Sequence, residues 1–127
     1  MTINEIYDIS LYLAEKTDDS TGFISAEYKK QHQKKAEIII RQAIRKYVNL
    51  QNLTLPDIDM YGIDEHLPLD EYPLKNIIPY YVGAIMCAHD KETDKYNLLI
   101  YEYQTALKGL RYDETQLDIE DALTGLR

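Results

Sequence analysis

The chain has 127 residues, of which 45% are hydrophobic and 28% charged, so it has the size and composition of one folded domain and global disorder is excluded. Its 14 basic and 22 acidic residues give a formal net charge of −8, which excludes wrapping nucleic acid with the whole surface. The single cysteine, Cys87, excludes an internal disulfide framework and fits a reducing compartment. Short apolar runs and the opening Met1–Glu5 predict neither a membrane span nor a secretory signal.

Helical periodicity predicts two helices in the first 50 residues. Thr2 begins a T-x-x-E pattern, typical of a capping box, and the predicted first helix reaches about Lys16. Ser25 is the next predicted N-cap. The long second helix that follows extends to about Val48, because neither Gly nor Pro interrupts it and its apolar residues recur at steps of three and four.

Residues 49–69 are predicted to form an arm, either an irregular loop or a short hairpin. Pro56, Gly62 and Pro68 punctuate the segment, and apolar residues alternate loosely with acidic ones. A stretch of this length is unusual in a small domain unless it has a function.

Two further helices are predicted after the arm. Asp70 begins the third, which extends to about Asp90, and Pro79 is expected to kink or interrupt it. This helix is apolar nearly all round, which is typical of a central helix or a subunit contact. Thr93 is the predicted cap of a fourth helix that reaches about Arg111. The short turn between them predicts an antiparallel hairpin of helices three and four.

Residues 112–127 differ in character and are predicted to form a C-terminal tail. Five acidic residues stand against Arg127 alone, giving the segment a net charge of −4. We expect the tail to be loose alone and ordered against a partner, the alternative being a short helix folded back on the core. The sequence thus predicts an all-α fold, with a four-helix domain over 1–111 and a tail anchored by Leu117, Ile119, Leu123 and Leu126.

Signals for catalysis are weak. The five glycines form no phosphate-binding loop, and the three histidines lack partners at metal-ligand spacing. Cys87 and His89 are interpreted as a core residue and a helix-end residue. We therefore predict no catalytic residue, no metal and no cofactor, and we expect the protein not to be an enzyme. A helical hydrolase would need acidic residues facing inward, and the arm acids are interpreted as solvated: Asp57, Asp59, Asp64 and Glu65.

The second helix carries the sharpest functional signal. Seven basic residues between Lys29 and Lys46 stand against Glu37 alone. Four of them fall within about 60° on one flank of the apolar face, at 100° per residue. These four define the basic stripe: Lys30, Lys34, Arg41 and Arg45. A solvated face is the simplest interpretation, and a docking stripe for phosphate or for another chain's carboxylates is the functional one.

Charge is distributed unevenly along the chain. Residues 51–127 contain 6 basic and 15 acidic residues, a net charge of −9. One end of the molecule is therefore expected to attract the other end of a neighbour. Such head-to-tail association closes into a ring when the rotation permits.

Several motifs follow one another in a characteristic order. A Leu-Pro entry with two acids and a tyrosine leads into an apolar helix, and a polar turn and a helix ending in Tyr-x-x-Ala-Leu follow. The segments are Leu67–Tyr72, Ile78–Ala84, Asp90–Thr93, Tyr96 and Tyr101–Leu107. Over most of residues 1–111 this order resembles the small helical head–tail connector (adaptor) proteins of tailed bacteriophages, although Pro79 departs from their smoother helix.

The resemblance implies a structural virion protein that is made in the host cytoplasm and resides at the head–tail junction. It implies a homo-oligomeric ring, commonly of twelve subunits, beneath the portal protein and above a tail or stopper protein. Such a ring extends the channel through which DNA passes without sequence-specific binding, and its C-terminal segment reaches onto the portal. The basic stripe would then form a subunit or portal interface. Acidic bulk charge fits a channel to which DNA does not adhere.

The sequence leaves a second function open. A small helical regulatory or adaptor protein could use the basic second helix to bind nucleic acid or another protein. A salt-dependent DNA-binding assay distinguishes it from a connector.

Overall fold

The protein was analysed as a computed structural model, which describes the backbone of residues 1–125 and the side chains of residues 1–110. The fold is all-α, as predicted, and the described chain contains an isolated bridge between Thr17 and Ile24 but no β-strand. No helix in the described part is both long and apolar enough to cross a bilayer. The helices are α1 (Ile3–Leu13), α2 (Ala26–Leu50), α3 (Glu71–Asn76), α4 (Ile78–His89) and α5 (Thr93–Gly125), with a 3-10 turn at Ile58–Met60.

Both predicted N-caps of the first half are confirmed. The Thr2 hydroxyl accepts from the Glu5 amide at 3.1 Å, and the Glu5 carboxylate accepts from the Thr2 amide at 3.2 Å, which completes the capping box. The Ser25 hydroxyl accepts from the Tyr28 amide at 3.3 Å and begins α2. The first four amide groups of a helix have no acceptor within it, which is why side chains that can accept a hydrogen bond stand at these positions.

Replacing the first of these caps gives a modest expected effect. The Thr2→Ala variant should lose about 1 kcal/mol of unfolding free energy, because the Glu5 amide loses its acceptor. Urea denaturation followed by circular dichroism measures the loss. The Thr2→Ser variant keeps the hydroxyl and should retain most of the stability, so equal losses in both variants would contradict the capping role.

Pro79 interrupts the predicted third helix. The chain breaks at Ile77, whose φ of −121° and ψ of −61° lie outside the helical range, and it resumes as α4 with Pro79 in the first turn. Proline is tolerated there because its missing N–H would have no partner within the helix. The predicted single helix is therefore two helices, α3 and α4.

The fourth predicted helix has its N-cap one residue before the predicted cap, Thr93, and it ends later than predicted. Thr93 is the first helical residue of α5, since the Glu92 carbonyl accepts from the Tyr96 amide at 3.0 Å and places Glu92 at the N-cap. The backbone stays helical to Gly125 rather than ending near Arg111. Gly109 does not stop it, because glycine inside a helix costs only about 1 kcal/mol.

The predicted tail anchors Leu117, Ile119, Leu123 and Leu126 lie outside the described side chains. Their anchoring role, and the division of the chain at residue 112, therefore stay predictions.

Helix α4 lies at the centre of the fold, packing against α1, α2 and α5. Its fully buried residues include Ile78, Val82 and Cys87. Gly83 lets α1 approach closely: a Cβ atom there would lie 3.3 Å from the Ser10 carbonyl oxygen and 3.4 Å from the Leu99 side chain. Of the two placements predicted for this apolar helix, the central one is observed.

The arm is an ordered loop that packs on its own domain. Ile58 and Leu67 are buried in the core. The Ile63 carbonyl accepts from the Asn4 amide, and the Met1 carbonyl accepts from the Leu67 amide, both at 3.0 Å. These contacts fasten the arm to the start of α1. Of the two predicted forms, the irregular loop is the one observed.

Candidate interaction surface

The basic stripe on α2 separates into two pairs with different surroundings. Lys30 and Lys34 are exposed, and neither forms an ion pair among the described side chains. Arg41 and Arg45 instead face the arm. Helical periodicity predicted all four residues on one flank, but it could not show that the arm contacts two of them.

Arg41 fastens the arm to α2. Its guanidinium donates to the carbonyl oxygens of Ile58 at 2.7 Å and Tyr61 at 2.8 Å, and it pairs with Glu37 at 2.9 Å. Its side chain is only 13% exposed. A planar guanidinium that donates to two carbonyls and a carboxylate is committed to these partners within the chain.

Arg45 pairs with Asp59, one residue after buried Ile58, and both partners are about half exposed. A surface pair of this kind contributes little to stability, about 0–1 kcal/mol. The interface role predicted for the four residues stays a prediction. Lys30 and Lys34 are the two that are exposed and form no ion pair with another described side chain.

A groove lies between the first half of α2 and the end of α4. Its volume is about 210 Å³. Its buried lining residues, Ala36, Ile39 and Met86, are apolar, whereas the exposed ones, Lys35, His89 and Asp90, are ionisable. The lining consists of Tyr28, His32, Lys35, Ala36, Ile39, Met86, His89 and Asp90.

Tyr28 forms the inner wall of this groove. Its ring lies 4.2 Å from the ring of His32, centroid to centroid, and the Lys16 ammonium lies 5.2 Å from its ring centre. Its hydroxyl donates to the Asp90 carboxylate at 2.6 Å. Burial, together with the hydrogen bond and negative charge of Asp90, raises the pKa of Tyr28 strongly. The phenol therefore stays protonated and acts as a fixed donor.

An ion-pair cluster ties the loop after α1 to the turn before α5. Lys16, whose side chain is 10% exposed, pairs with Asp90 at 2.7 Å and also with Glu92. Lys95 pairs with Glu92 at 2.8 Å. No sequence signal predicted this cluster, because Lys16 and its partners are more than 70 positions apart and the turn appeared only as a polar one.

The cluster changes the ionisation of its members. Burial alone would lower the pKa of Lys16, but the hydrogen bonds and charges of Asp90 and Glu92 outweigh it and raise that pKa. Burial would raise the pKa of Asp90, but the bonds from Lys16 and Tyr28 lower it. Hydrogen bonds from Lys16 and Lys95 lower the pKa of Glu92. These three ionisable groups are thus held in their charged forms.

A pH dependence of stability follows. Because the folded-state pKa values of Asp90 and Glu92 are depressed, their contribution is present above the ordinary values of 3.8 and 4.5 and is lost as pH falls through the folded values. Unfolding free energy should therefore decline below about pH 4.5. Because the folded-state pKa of Lys16 is raised, its contribution to stability is present below the ordinary value of 10.5 and is lost as pH rises through the folded value.

The Lys16→Met variant isolates this effect. At pH 7 it should be about 1–2 kcal/mol less stable, since the carboxylates of Asp90 and Glu92 both lose the Lys16 ammonium. Urea denaturation at several pH values between 3.5 and 7 measures both chains. The acid-side decline should be smaller in the variant. Parallel curves would show that the cluster does not set the acid limit. Lys75→Met, at an exposed position outside the cluster, serves as the control.

Cys87 and His89 occupy the places predicted for them. Cys87 is fully buried, with its Sγ 4.0 Å from the Ala14 carbonyl oxygen, and burial raises the pKa of its thiol. His89 is the exposed last residue of α4. A buried protonated thiol is a poor nucleophile, so Cys87 acts as a packing residue.

The arm acids serve local structure. Asp57 accepts from the Asp59 backbone amide at 3.0 Å, Asp59 pairs with Arg45, and Asp64 accepts from the side-chain Nδ2 of Asn4 at 2.9 Å. All four arm acids are exposed. Among the described residues, no group of three or more His, Cys, Asp or Glu side chains is placed to hold a metal ion.

Comparisons of the chain with protein-family models, with curated proteins and with solved structures gave no match. The surface of α2 and the groove beside it are therefore interpreted from their own chemistry.

Proposed function

We propose that the protein is a structural connector of a tailed bacteriophage, a subunit of a ring that lies beneath the portal and joins head to tail. The observation that carries the proposal is the separation of charge. The exposed part of α2 presents lysines that form no ion pair with the side chains of residues 1–110, whereas residues 51–127 have a net charge of −9. Surfaces of opposite sign on different parts of one chain favour head-to-tail contacts, from which rings are built.

The fold supports the same proposal. The motifs that resemble phage connectors fall on the entry to α3, on central α4 and on α5. Each of these elements is packed against its neighbours within the chain, which suits a rigid subunit. The bulk negative charge suits a channel wall, because a basic lining would bind the phosphates of passing DNA.

Native mass spectrometry and electron microscopy test the proposal. The purified chain is examined alone and mixed with the portal ring encoded by the same genome. We expect a closed ring with a central opening, formed alone or on the portal, and stable binding to the portal. A chain that forms no ring and binds no portal at high concentration would rule the connector function out.

The second candidate is a regulatory or adaptor protein that binds nucleic acid through α2. Exposed Lys30, Lys34 and Lys35 favour it. Affinity for duplex DNA should then fall steeply with salt, with a log–log slope of about −0.9 for each phosphate contacted. A Lys34→Glu variant would lose that binding, whereas a connector would show no such DNA affinity.

A further inference from the structure

The exposed face of α2 combines positive charge with an apolar side chain. Ile38 is 59% exposed, although it stands in the middle of a long helix. At 100° per residue it lies about 60° from Lys35 and about 40° from Lys34, between the two lysines. A segment that approaches this face therefore meets an apolar side chain with a positive charge on either side.

The groove continues this surface with the same chemistry. Lys35 belongs to both, since it flanks Ile38 and also lines the rim of the groove. Apolar groups of Ile39 and Met86 contribute to the groove, and His89 adds a further nitrogen donor at its edge. Asp90, the acid at the rim, is already paired with Lys16 and Tyr28. We call Lys34, Lys35, Ile38 and the groove the α2 docking surface.

The chain itself contains a segment of complementary chemistry. Residues 112–127 carry a net charge of −4 and four large apolar residues. At 100° per residue on a continuous helix, Ile119 and Leu123 fall about 40° apart on one face. The acidic positions 118 and 120 border that face on either side. An apolar stripe edged by acids matches an apolar strip edged by lysines.

The segment of residues 112–127 begins too far along α5 to reach the α2 docking surface of its own chain. The groove lies beside Asp90, at the turn where α5 begins. Helix α5 has 33 residues. It therefore extends for about 50 Å, and residue 111 lies about 27 Å from its start. A segment held at the far end of a continuous helix meets this surface only on another molecule.

We propose that the α2 docking surface binds the acidic C-terminal segment, residues 112–127, of a second copy of this chain. Asp118 and Glu120 of the segment pair with Lys34 and Lys35, and its apolar stripe covers Ile38 and enters the groove. Because donor and acceptor surfaces lie at different ends, the contact is heterologous and repeats from copy to copy. The inference rests on the proposed function only for closure into a ring.

Nucleic acid is a less suitable occupant. Two of the four stripe residues, Arg41 and Arg45, contact the arm, and Lys34 and Lys35 flank the exposed Ile38 rather than further basic groups. The net charge of −8 also repels a polyanion. Duplex DNA binding is accordingly one outcome of the test, and so is a segment that binds only the portal.

A charge-swap experiment on the full chain tests the proposal. One variant carries Lys34→Glu and Lys35→Glu, so both its docking surface and its C-terminal segment are acidic. The other carries Asp118→Lys and Glu120→Lys, so the two positions that border the apolar stripe of its segment are basic, as its docking surface is. Association of each variant alone and of their equimolar mixture is measured by sedimentation velocity and light scattering. Circular dichroism checks that each variant is folded.

We expect the unmodified chain to self-associate, and each variant alone to associate at least tenfold more weakly. The mixture should regain association, because positions 118 and 120 of each variant then meet side chains of opposite charge at positions 34 and 35 of the other. A control with Lys75→Glu and Lys108→Glu has the same charge change at exposed positions elsewhere and should behave as the unmodified chain. Absence of recovery in the mixture, or unchanged association of either variant alone, would overturn the proposal.

The result is separable from that of the connector function. Rings or portal binding that survive both swaps would leave the connector proposal standing and refute this contact. Recovery in the mixture without rings or portal binding would establish the contact and refute the connector function. Loss of duplex DNA binding in the Lys34→Glu and Lys35→Glu variant, with no change in association, would assign the surface to nucleic acid.

Discussion

The Gly83→Val variant is expected to lose about 3 kcal/mol of unfolding free energy, because it overpacks the close contact of α4 with α1 and α5. The first carbon of any side chain at this position would lie 3.3 Å from the Ser10 carbonyl oxygen and 3.4 Å from the Leu99 side chain. The backbone of α1 supplies one of these neighbours, so it cannot move aside as the tip of a side chain can. The two methyl groups of valine would force α1 and α4 apart.

Gly109→Ala provides the matched control for this prediction. A Cβ atom there meets nothing within 4 Å, and the position lies inside α5. Alanine should stabilise the chain by about 0.5–1 kcal/mol, since it restricts the unfolded backbone and favours the helix. Thermal and urea unfolding of both variants measure the two effects. A Gly83→Val variant as stable as the unmodified chain would show that α1 and α4 do not approach as closely as the structure shows.

The parts of the fold that the sequence predicted are those that depend on residues close together in the chain. The capping box at Thr2, the cap at Ser25 and the break at Pro79 depend on contacts within one helical turn. Such contacts are encoded by residues that are neighbours in sequence, and for this reason spacing alone locates them. The end of α5 was placed too early because a change of composition at residue 112 was interpreted as a change of structure.

Long-range polar contacts account for what the sequence did not predict. Lys16 meets Asp90 and Glu92 across more than 70 positions, and Tyr28 donates to the same Asp90. Lys16 follows one helix and the two acids precede another, and nothing in the sequence around either position shows that they are in contact. The groove beside Tyr28 arises from the same packing of α2 on α4, so the candidate site was visible in the sequence only as its basic flank.

The basic stripe shows where helical periodicity stops being informative. Spacing placed Lys34 and Arg41 on the same flank of α2, which would make either a suitable site for charge reversal. The structure separates them, because Arg41 is bonded to the arm and Lys34 is exposed. A test of assembly that alters Arg41 would therefore change the subunit itself, and Lys34 is the position at which assembly can be tested alone.

The Arg41→Ala variant is expected to lose about 2–3 kcal/mol, because the carbonyls of Ile58 and Tyr61 and the carboxylate of Glu37 lose their donors together. The arm should loosen before the core does. Hydrogen–deuterium exchange should therefore rise first at residues 58–61, and urea denaturation should give the total loss. Arg41→Lys keeps the charge but cannot donate to three acceptors in a fixed plane, so it should recover less than half of the stability.

Lys34→Ala is the matched control on the same flank. Lys34 is exposed and forms no ion pair among the described side chains, so its removal should change the unfolding free energy by less than about 0.5 kcal/mol. Exchange at residues 58–61 should not change. If Lys34→Ala and Arg41→Ala lost the same stability, the bonds from Arg41 would not be what holds the arm. If neither lost any, the arm would be held by the burial of Ile58 and Leu67 alone.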